Sequence, residues 1–305
     1  MPMPSVFHLR TGLRQAVSLA AAAVLPREAG VRVERRMRGW EEARKLPHAD
    51  GVIVSFGKSG RTWFRVLISR YFAHKYGLTE GCIMEFDEFH RTNPKIPVLF
   101  FTHDNYLKDF MGHDRKLDLY GGSRVILMVR DPRDTAVSQY FQWKHRIVAR
   151  KKVINAYPQG DLEVPAFIMG EEAGIPKIIG FMNDWAKDMV RFPNLLLIKY
   201  EDLKADTAGE LGRALRFLGQ TPTDAELADA AQFASVENMR KMEQQNAGKL
   251  SANARLKPAD ANDPSSFKVR RAKVGGWRDY VTEEQAIAID DMVRERLDPV
   301  YGYTG

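Results

Sequence analysis

Residues 52–76 read VIVSFGKSGRTWFRVLISRYFAHKY, and this stretch decides the fold class. It begins with a mostly apolar run at 52–56, passes through a short polar loop with two glycines, and continues into a segment of helical character over 61–76. A short apolar run of this kind is typical of a buried parallel strand. The stretch therefore predicts a strand, a tight loop and a helix, which together form the repeating unit of parallel α/β folds.

The same alternation continues along the chain. Three more apolar runs predict strands at 98–102, 124–129 and 195–199. The other predicted helices are 132–145, 175–191, 207–218, 223–231 and 282–297. This order predicts a three-layer, P-loop-like α/β fold with a parallel sheet of four to five strands flanked by helices. We expect an N-terminal helical extension over residues 1–50 and one domain over residues 51–305.

Helix start signals support these boundaries. Asp131 followed by Pro132 offers an N-cap acceptor and a proline at the first helical position. Three patterns of threonine followed three residues later by Glu or Gln predict capping boxes. They begin at Thr207, Thr223 and Thr282. The polar, aperiodic stretch 243–268 predicts a long loop, and a loop of that length is usually functional or disordered.

Composition limits the function classes. The chain has 305 residues, of which 44% are hydrophobic, so it can bury a full core and intrinsic disorder is not expected. Lys and Arg number 46 against 39 Asp and Glu, a net charge of +7. That surplus favours an anionic partner: nucleic acid, anionic lipid or a phosphorylated small molecule. A single cysteine, Cys82, excludes an internal disulfide and a cysteine-based metal site, and we expect a reducing cytoplasm as the compartment.

The N-terminus carries an amphipathic pattern. Residues 8–25 combine early positive charge with a ten-residue apolar stretch, which is too short for a membrane span of about 20 residues. A signal peptide is one interpretation. A helix that packs on the domain or lies on a membrane surface fits the helical spacing better, so peripheral membrane contact through 8–25 is our hypothesis. The arginines in 27–45, among them Arg35 and Arg38, predict a solvated helix face.

The loop at 56–63 is suited to binding a phosphate. Gly57 and Gly60 allow close backbone approach, and a helix N-terminus favours an anion through its free N–H groups and its dipole. Donor side chains also come from this loop, namely Lys58, Ser59, Arg61 and Thr62. The loop lacks the Walker A pattern GxxxxGK[ST], because its lysine comes early. An ordinary βα turn with a surface lysine is the alternative.

Two other cationic positions share this character. Arg130 follows the strand predicted at 124–129, where open α/β sheets bind ligands, although it could equally pair with Asp131 or Asp134. A third cluster follows the predicted loop and comprises Lys268, Arg270, Arg271 and Lys273. Its alternative interpretation is a solvated turn. Three positions suited to anions on one domain indicate a ligand with phosphates at both ends.

These motifs together resemble the cytosolic-type sulfotransferases, which use 3'-phosphoadenosine 5'-phosphosulfate (PAPS) as the sulfate donor. The segment 55–63 (SFGKSGRTW) is similar to the family's 5'-phosphosulfate loop, and 130–138 (RDPRDTAVS) to its 3'-phosphate motif. The segment 270–277 (RRAKVGGW) is similar to its late motif, and 200–203 (YEDL) matches as well. The motifs stand in the family's order and cover roughly residues 51–297.

The resemblance implies roles for individual residues. It implies that His103 is the catalytic base, and that Lys58 and Ser138 complete the catalytic set. The implied donor-binding residues are Lys58, Ser59, Gly60, Arg61, Thr62, Trp63, Arg130, Ser138, Tyr200, Ser235, Arg270, Arg271 and Ala272. Sulfuryl transfer makes electrostatic demands like those of phosphoryl transfer, for which a histidine base and a lysine charge are suited. No metal is implied.

Three positions depart from the family pattern. Phe101 stands where a lysine often precedes the catalytic histidine, so one positive charge is missing or comes from Arg61 or elsewhere. Ala272 replaces a glycine and Gly276 replaces an aspartate. The missing charge therefore has to be sought in the structure.

The acceptor is the open part of the prediction. We expect the acceptor pocket to be formed by the segments 86–115, 141–190 and 243–268. Their aromatic side chains favour a phenol or a steroid, whereas the basic run 144–152 favours an acidic glycan or a lipid headgroup, with a solvated helix end as the alternative. We lean toward a hydroxyl of a glycan or glycolipid. A nucleotide-dependent kinase and a non-enzymatic anion or nucleic-acid binder are the rival functions, and no nucleic-acid-binding motif is present.

Overall fold

The computed structural model describes residues 12, 16–18, 24–79, 81–112, 116–247 and 256–303. Its strands are β1 (Gly51–Ser55), β2 (Leu99–Thr102), β3 (Arg124–Val129) and β4 (Leu195–Lys199). Its first helices are α1 (Arg27–Ala43), α2 (Arg61–Tyr76), α3 (Glu88–Thr92), α4 (Asn105–Met111), α5 (Lys116–Tyr120), α6 (Pro132–His145) and α7 (Ala149–Ile154). The later helices are α8 (Val164–Met169), α9 (Ile175–Met189), α10 (Tyr200–Ala205), α11 (Thr207–Phe217), α12 (Asp224–Phe233), α13 (Val236–Gln245) and α14 (Glu283–Arg296). Short 3₁₀ turns lie at Leu46–His48, Pro264–Ser266, Gly276–Tyr280 and Pro299–Tyr301.

The four strands form one parallel sheet in the order β2-β1-β3-β4. Val54 pairs with Thr102 of β2, and Ser55 pairs with Met128 of β3. Val129 in turn pairs with Lys199 of β4. The carboxyl ends of all four strands therefore reach the same edge of the sheet, which confirms the predicted parallel α/β fold.

Helices cover both faces of the sheet because its residues alternate between two apolar clusters. Val52 and Val54 of β1 face a cluster built with α6, α8, α9 and α14. Ile53, between them, faces a second cluster built with α2, α11 and α12. Burial on both faces explains why the strands read as nearly continuous apolar runs, and it produces the predicted three layers.

The predicted boundaries hold within a few residues. The strand at 124–129, the strand at 195–199 and the helices at 61–76 and 132–145 are confirmed as predicted, and Asp131 caps α6 by accepting from the Arg133 N–H. Capping boxes form at Thr223 and Thr282. The third was wrong: Asp206 caps α11, and the Thr207 hydroxyl donates to the Leu203 carbonyl instead. The predicted loop begins later than 243, since α13 runs to Gln245.

The solvated face predicted for helix α1 is confirmed only in part, since Arg32 and Arg36 are exposed whereas Arg35 and Arg38 are partly buried and pair with acidic residues. The helix packs closely on α4, since a Cβ at Gly39 would lie 2.1 Å from the Tyr106 carbonyl oxygen. Arg35 is half-buried and pairs with Asp109 of α4, with an N–O distance of 2.5 Å. Most of residues 8–25 lie outside the described residues, so the membrane hypothesis for that segment stays a prediction, as does the domain boundary at residue 50.

The turn that follows β1 depends on one glycine. Gly60 caps α2 with φ of 89°, and a Cβ there would lie 2.7 Å from Cδ2 of the Tyr200 ring. Gly77 ends the same helix with φ of 63°, but no atom outside the turn lies within 4 Å of its Cβ position. The two glycines thus share left-handed backbone and differ in steric surroundings.

We expect Gly77→Ala to lower the free energy of unfolding by about 1 kcal/mol, the cost of left-handed backbone for a residue with a Cβ. Gly60→Ala should lose at least about twice as much, because it adds a clash with Tyr200 to the same backbone cost. Urea denaturation of both variants measures the difference. Equal losses would contradict the close packing of the turn on Tyr200.

Candidate active site

A cavity of about 780 Å³ opens at the edge where the strands end. Every strand contributes to it through the residues that directly follow. The loop 56–60 follows β1, His103 follows β2, Arg130 follows β3 and Tyr200 follows β4. This is the edge at which open parallel sheets bind their ligands.

The loop after β1 lies against the cavity with its backbone strained. Lys58 has φ of 74°, a left-handed conformation that costs a residue with a Cβ roughly 1–2 kcal/mol. Thr62 accepts from Nζ of Lys268 at 3.3 Å, and Nε1 of Trp63 donates to the Ala234 carbonyl at 2.8 Å. The loop is therefore tied to the segments 234–236 and 268–273, which come from distant parts of the chain.

Lys58 lies close to several cationic side chains. Burial, together with the Arg146 and Arg130 guanidinium groups, lowers the pKa of Lys58 to about 7. Its Nζ lies 3.5 Å from the Gln142 side-chain oxygen, and Glu243 is the acidic group that partly offsets the repulsion. A lysine held in this way is poised to regain its full charge when an anion enters.

His103 is held in one tautomer. Its Nδ1 lies 2.8 Å from the Ser55 carbonyl oxygen, which can only accept, so the ring proton sits on Nδ1. Its Nε2 therefore carries the lone pair, and Nη2 of Arg61 donates to it at 2.6 Å. Burial and the Arg61 charge lower the pKa of His103 well below its ordinary value, so the imidazole is neutral at neutral pH.

Arg130 spans the cavity wall between three segments. Its guanidinium lies 4.3 Å from the centre of the Tyr200 ring, and its terminal nitrogens lie 3.4 Å from the carbonyl oxygens of Lys58 and Lys273. Its ion pair with Asp134 is long, at 3.7 Å, and its buried Nε has no hydrogen-bond partner among the described residues. Of the two acids named in the alternative interpretation, Asp131 pairs with Arg133 instead.

Asp134 brings the late motif to the cavity. Its carboxylate accepts from the backbone N–H of Gly275 at 2.8 Å and of Trp277 at 3.0 Å. This fixes the preceding residues, where Arg270 lies 3.6 Å from the centre of the Phe141 ring. Ala272 adopts φ of 51°, so the alanine keeps the left-handed conformation that a glycine would take at that position.

The cavity collects most of the residues that the sequence resemblance singled out. Those that line it are Lys58, Gly60, Arg61, Thr62, Trp63, His103, Arg130, Ser138, Tyr200, Arg270, Arg271 and Ala272. Two predicted residues do not line it. Ser59 is buried beneath the loop, and the Ser235 hydroxyl caps α13 by accepting from the Asn238 N–H, although its neighbours Ala234 and Val236 reach the cavity.

The charge missing at Phe101 has two substitutes. The Arg65 guanidinium lies 3.9 Å from the centre of the Phe101 ring and lines the cavity, while Arg61 reaches His103 directly. Both arginines belong to α2, one turn apart. Positive charge beside the histidine therefore comes from α2 rather than from β2.

The cavity continues beyond His103 into a distal half, which is lined mainly by residues of 86–115 and 141–190, two of the segments predicted for the acceptor pocket. Phe56 and Phe181 pack edge to face there, 5.6 Å apart, and Tyr157 lies beside them. Cations line the same half: Arg35 and Arg38 of α1, Lys108 of α4, Lys151 of α7 and Lys177 of α9. Four of these five cations lie outside the predicted basic run.

The basic run 144–152 does not form an acceptor surface as a unit. Lys144 pairs with Asp161, Arg150 pairs with Glu34, and Lys152 lies 4.6 Å from the centre of a Trp143 ring. Arg146 turns toward Glu243 and donates to the Lys257 carbonyl. Lys151 is the one lysine of the run that lines the cavity.

Two features are absent from the described part of the chain. It contains no cluster of three or more His, Cys, Asp or Glu side chains arranged to hold a metal ion. It also contains no helix with the length and apolar character needed to cross a bilayer.

Comparison with known proteins identifies the family. Residues 121–300, more than half of the chain, match the sequence profile of the sulfotransferase domain. The chain belongs to the sulfotransferase domain family. The motifs at 130–138 and 270–277 lie within the matched range, whereas the loop at 55–63 and His103 lie before it.

Relatives and solved structures agree with this assignment. Sulfotransferase 2A1 of Rattus norvegicus is 26% identical over 180 residues, which cover 57% of each chain. Cytosolic sulfotransferase 17 of Arabidopsis thaliana is 25% identical over 81% of this chain and 74% of its own. The crystal structure of mouse sulfotransferase SULT7A1 complexed with PAP has a TM-score of 0.56 at 22% identity, covers 84% of this chain and 89% of its own, and shows the same fold. The chain spans little more than half the length of the first curated relatives it matches.

The pairing of Arg61 with His103 makes a measurable prediction. Arg61→Met should raise the pKa of His103, since it removes a cation that disfavours protonation. Lys268→Met, which removes a weaker and more distant charge, should raise the pKa less. NMR titration of the His103 imidazole, assigned with His103→Gln, measures both. An unchanged pKa in Arg61→Met would show that Arg61 does not contact the ring in solution.

Proposed function

We propose that this protein transfers a sulfuryl group from PAPS to an acceptor hydroxyl. Membership of the sulfotransferase domain family supports the reaction class. The observation that carries the proposal is the cluster of cationic side chains formed by Lys58, Arg130 and Arg270, which line the cavity at the strand ends. Binding of a multiply charged anion would offset the repulsion within that cluster.

The proximal half of the cavity, beside residues 57–63, fits such a donor at two places. The first is the helix N-terminus at Gly60–Thr62 with the Lys58 ammonium, which suits a 5'-phosphosulfate. The second is Arg130 with Arg270, where the unpartnered Nε of Arg130 suits a 3'-phosphate. Mouse SULT7A1, which has the same fold, was crystallised in complex with PAP, the desulfated donor.

The chain's own residues would act on charge and protons. When bound, PAPS supplies a sulfuryl group on a phosphate leaving group, and negative charge grows on that leaving group during transfer. Lys58 would offset this charge from its position in the loop after β1. His103 would accept the acceptor's proton on Nε2. The hydrogen bond from Nδ1 to the Ser55 carbonyl places the ring proton on Nδ1 and leaves Nε2 unprotonated. Arg61 must first release Nε2, because its guanidinium occupies the lone pair.

The finer aspects of the function are also proposals. We propose a small hydroxyl-bearing acceptor, with a preference for a glycan or glycolipid, in the distal half of the cavity beside Phe56, Phe181 and Tyr157. We propose a cytoplasmic location, with peripheral membrane contact through residues 8–25. A kinase and an anion or nucleic-acid binder remain the rivals that the test below separates.

A thermal-shift series separates the three functions. We expect PAP to raise the melting temperature more than 5'-AMP, because AMP lacks the group that Arg130 and Arg270 would bind. ATP with Mg²⁺ as the strongest stabiliser would support the kinase, and a strong oligonucleotide effect would support nucleic-acid binding. Labelled PAPS with an alkyl alcohol or octyl glucoside then tests transfer. Absence of both PAP stabilisation and transfer would refute the sulfotransferase proposal.

The base is tested on the same alkyl acceptor. His103→Gln keeps the size and a hydrogen-bonding end but cannot take a proton, so kcat/KM should fall by roughly 10²–10⁴ while PAP affinity holds. Because the pKa of His103 lies well below its ordinary value, protonation of His103 should cause no loss of wild-type kcat/KM as pH falls through 6.5. His90→Gln is the matched control, since His90 also bonds a backbone carbonyl but lies outside the cavity. A wild-type rate in His103→Gln would make His103 structural.

Lys58 should take up a proton when PAP binds. With its pKa at about 7 in the free protein, it is largely neutral at pH 7.5, and the ligand's anions restore its charge. Calorimetry at that pH in buffers of different ionisation enthalpy should show an uptake of about half a proton or more. Lys58→Met should abolish this contribution, whereas Lys95→Met, at an exposed site away from the cavity, should keep it. Binding enthalpies that are identical across buffers would contradict the assignment.

A further inference from the structure

The distal half of the cavity has a wall made of cations from four helices. We call it the basic wall, and it consists of Arg35, Arg38, Lys108, Lys151 and Lys177. Three of these are neutralised locally: Arg35 by Asp109, Arg38 by Glu34 and Lys108 by Asp184. Lys151 and Lys177 are therefore the two cations of the basic wall that have no ion pair with a described carboxylate.

Lys177 is held in an unfavourable place for a cation. Its Nζ donates to the carbonyl oxygens of Glu172 at 2.7 Å and of Asn155 at 3.4 Å. Burial and the nearby Arg35 charge lower the pKa of its ammonium, and Glu172 opposes this only in part. A lysine fixed by carbonyls beside another cation costs free energy that an incoming anion would offset.

A chain of side-chain contacts links Lys177 to the loop after β1. Its Nζ lies 6.0 Å from the centre of the Tyr157 ring. The Tyr157 hydroxyl accepts a hydrogen bond from Gln139, and a Cβ at Gly57 would lie 3.3 Å from the Gln139 side-chain oxygen. Lys177 therefore lies two side chains, Tyr157 and Gln139, away from the loop. An acceptor between them would meet Lys177 with one end and the catalytic groups with the other.

We propose that the basic wall binds an anionic group of the acceptor: a carboxylate, sulfate ester or phosphate ester on the molecule whose hydroxyl is sulfated. The inference rests on the proposed function and specifies its acceptor class. Phe56 and Phe181 would contact the apolar or ring portion between the two ends. Lys151 and Lys177 are exposed to solvent but line the same cavity as Phe56 and His103. A single small acceptor in that cavity would contact the lysines and the catalytic groups together, and we favour it over a membrane surface for this reason.

Matched acceptor pairs test the charge requirement. 4-(Hydroxymethyl)benzoate and benzyl alcohol share the acceptor hydroxyl and differ only in a carboxylate. Octyl glucuronide and octyl glucoside share a scaffold, in which the carboxylate of the first replaces the C6 hydroxymethyl group of the second. With labelled PAPS, we expect kcat/KM for the anionic member to exceed that for the neutral member by about tenfold or more in at least one pair, as for a hydrogen bond to a charged group. Equal values in both pairs, or a preference for the neutral members, would overturn the inference.

Variants locate the effect. Lys177→Met should reduce the anionic-to-neutral ratio by about tenfold, Lys177→Glu should reverse it, and Lys151→Met should lower it less or equally. Lys95→Met changes net charge identically at an exposed site outside the cavity and should leave the ratio unchanged. PAP binding, measured for each variant, shows that the fold and the donor site persist. A ratio insensitive to both lysines in folded variants would overturn the assignment.

The remaining outcomes separate this inference from the proposed function. A protein that fails to bind PAP refutes the proposed function itself, whereas one that binds PAP and sulfates neutral acceptors preferentially refutes only this inference. If neither pair is sulfated, calorimetry on the PAP complex still decides, because octyl glucuronide must bind more tightly than octyl glucoside. Sedimentation with phosphatidylglycerol vesicles that depends on Lys151 and Lys177, without any acceptor preference, would show a membrane surface instead and overturn the acceptor assignment.

Discussion

The parallel register of the sheet is the constraint on which the site depends. Because β1 pairs with β2 on one side and with β3 on the other, and β3 with β4, the residues after each strand emerge at one edge. Those residues carry charge: Lys58 after β1 and Arg130 after β3. The fold concentrates cations at a point where water is partly excluded, and the depressed pKa of Lys58 is the direct consequence.

The same register fixes the chemistry of His103. The carbonyl that orients its ring belongs to Ser55, the last residue of β1, and the histidine follows the last residue of β2. Strand pairing alone therefore selects the tautomer and leaves Nε2 as the atom with the lone pair. Helix α2 adds the second element, because Arg61 at its first residue reaches that lone pair. In the proposed reaction, proton acceptance by His103 therefore depends on release of its lone pair by Arg61.

Sequence patterns predicted what depends on short-range order. Apolar runs located all four strands, and Asp131 with Pro132 predicted the start of α6. The cap of α11 shows the limit of such patterns, since Asp206 and Thr207 both offer an acceptor and the aspartate, one residue earlier, took the role.

The contribution of α1 to the distal half of the cavity could not be predicted in that way. Arg35 and Lys177 come from helices about 140 residues apart in the chain, and each reads as an ordinary surface cation in its local sequence. The pairing of Arg61 with His103 likewise depends on the register of β1 and β2, which no local pattern contains. Aromatic residues flanking such cations are the one signal that could have pointed to them.

Backbone strain and repulsion between cations coincide at the cavity. Lys58 and Ala272 both adopt left-handed backbone, at roughly 1–2 kcal/mol each, and both line the cavity. Lys58 also bears the repulsion of Arg130 and Arg146. Neither Lys58 nor Ala272 belongs to the two apolar clusters that pack on the faces of the sheet, so the strained positions lie outside the core. Binding of a multiply charged ligand relieves the repulsion but not the backbone strain, so the site is shaped in advance and its charge is what changes on binding. The loop therefore has little reason to rearrange, and ligand affinity should depend on ionic strength more than on loop ordering.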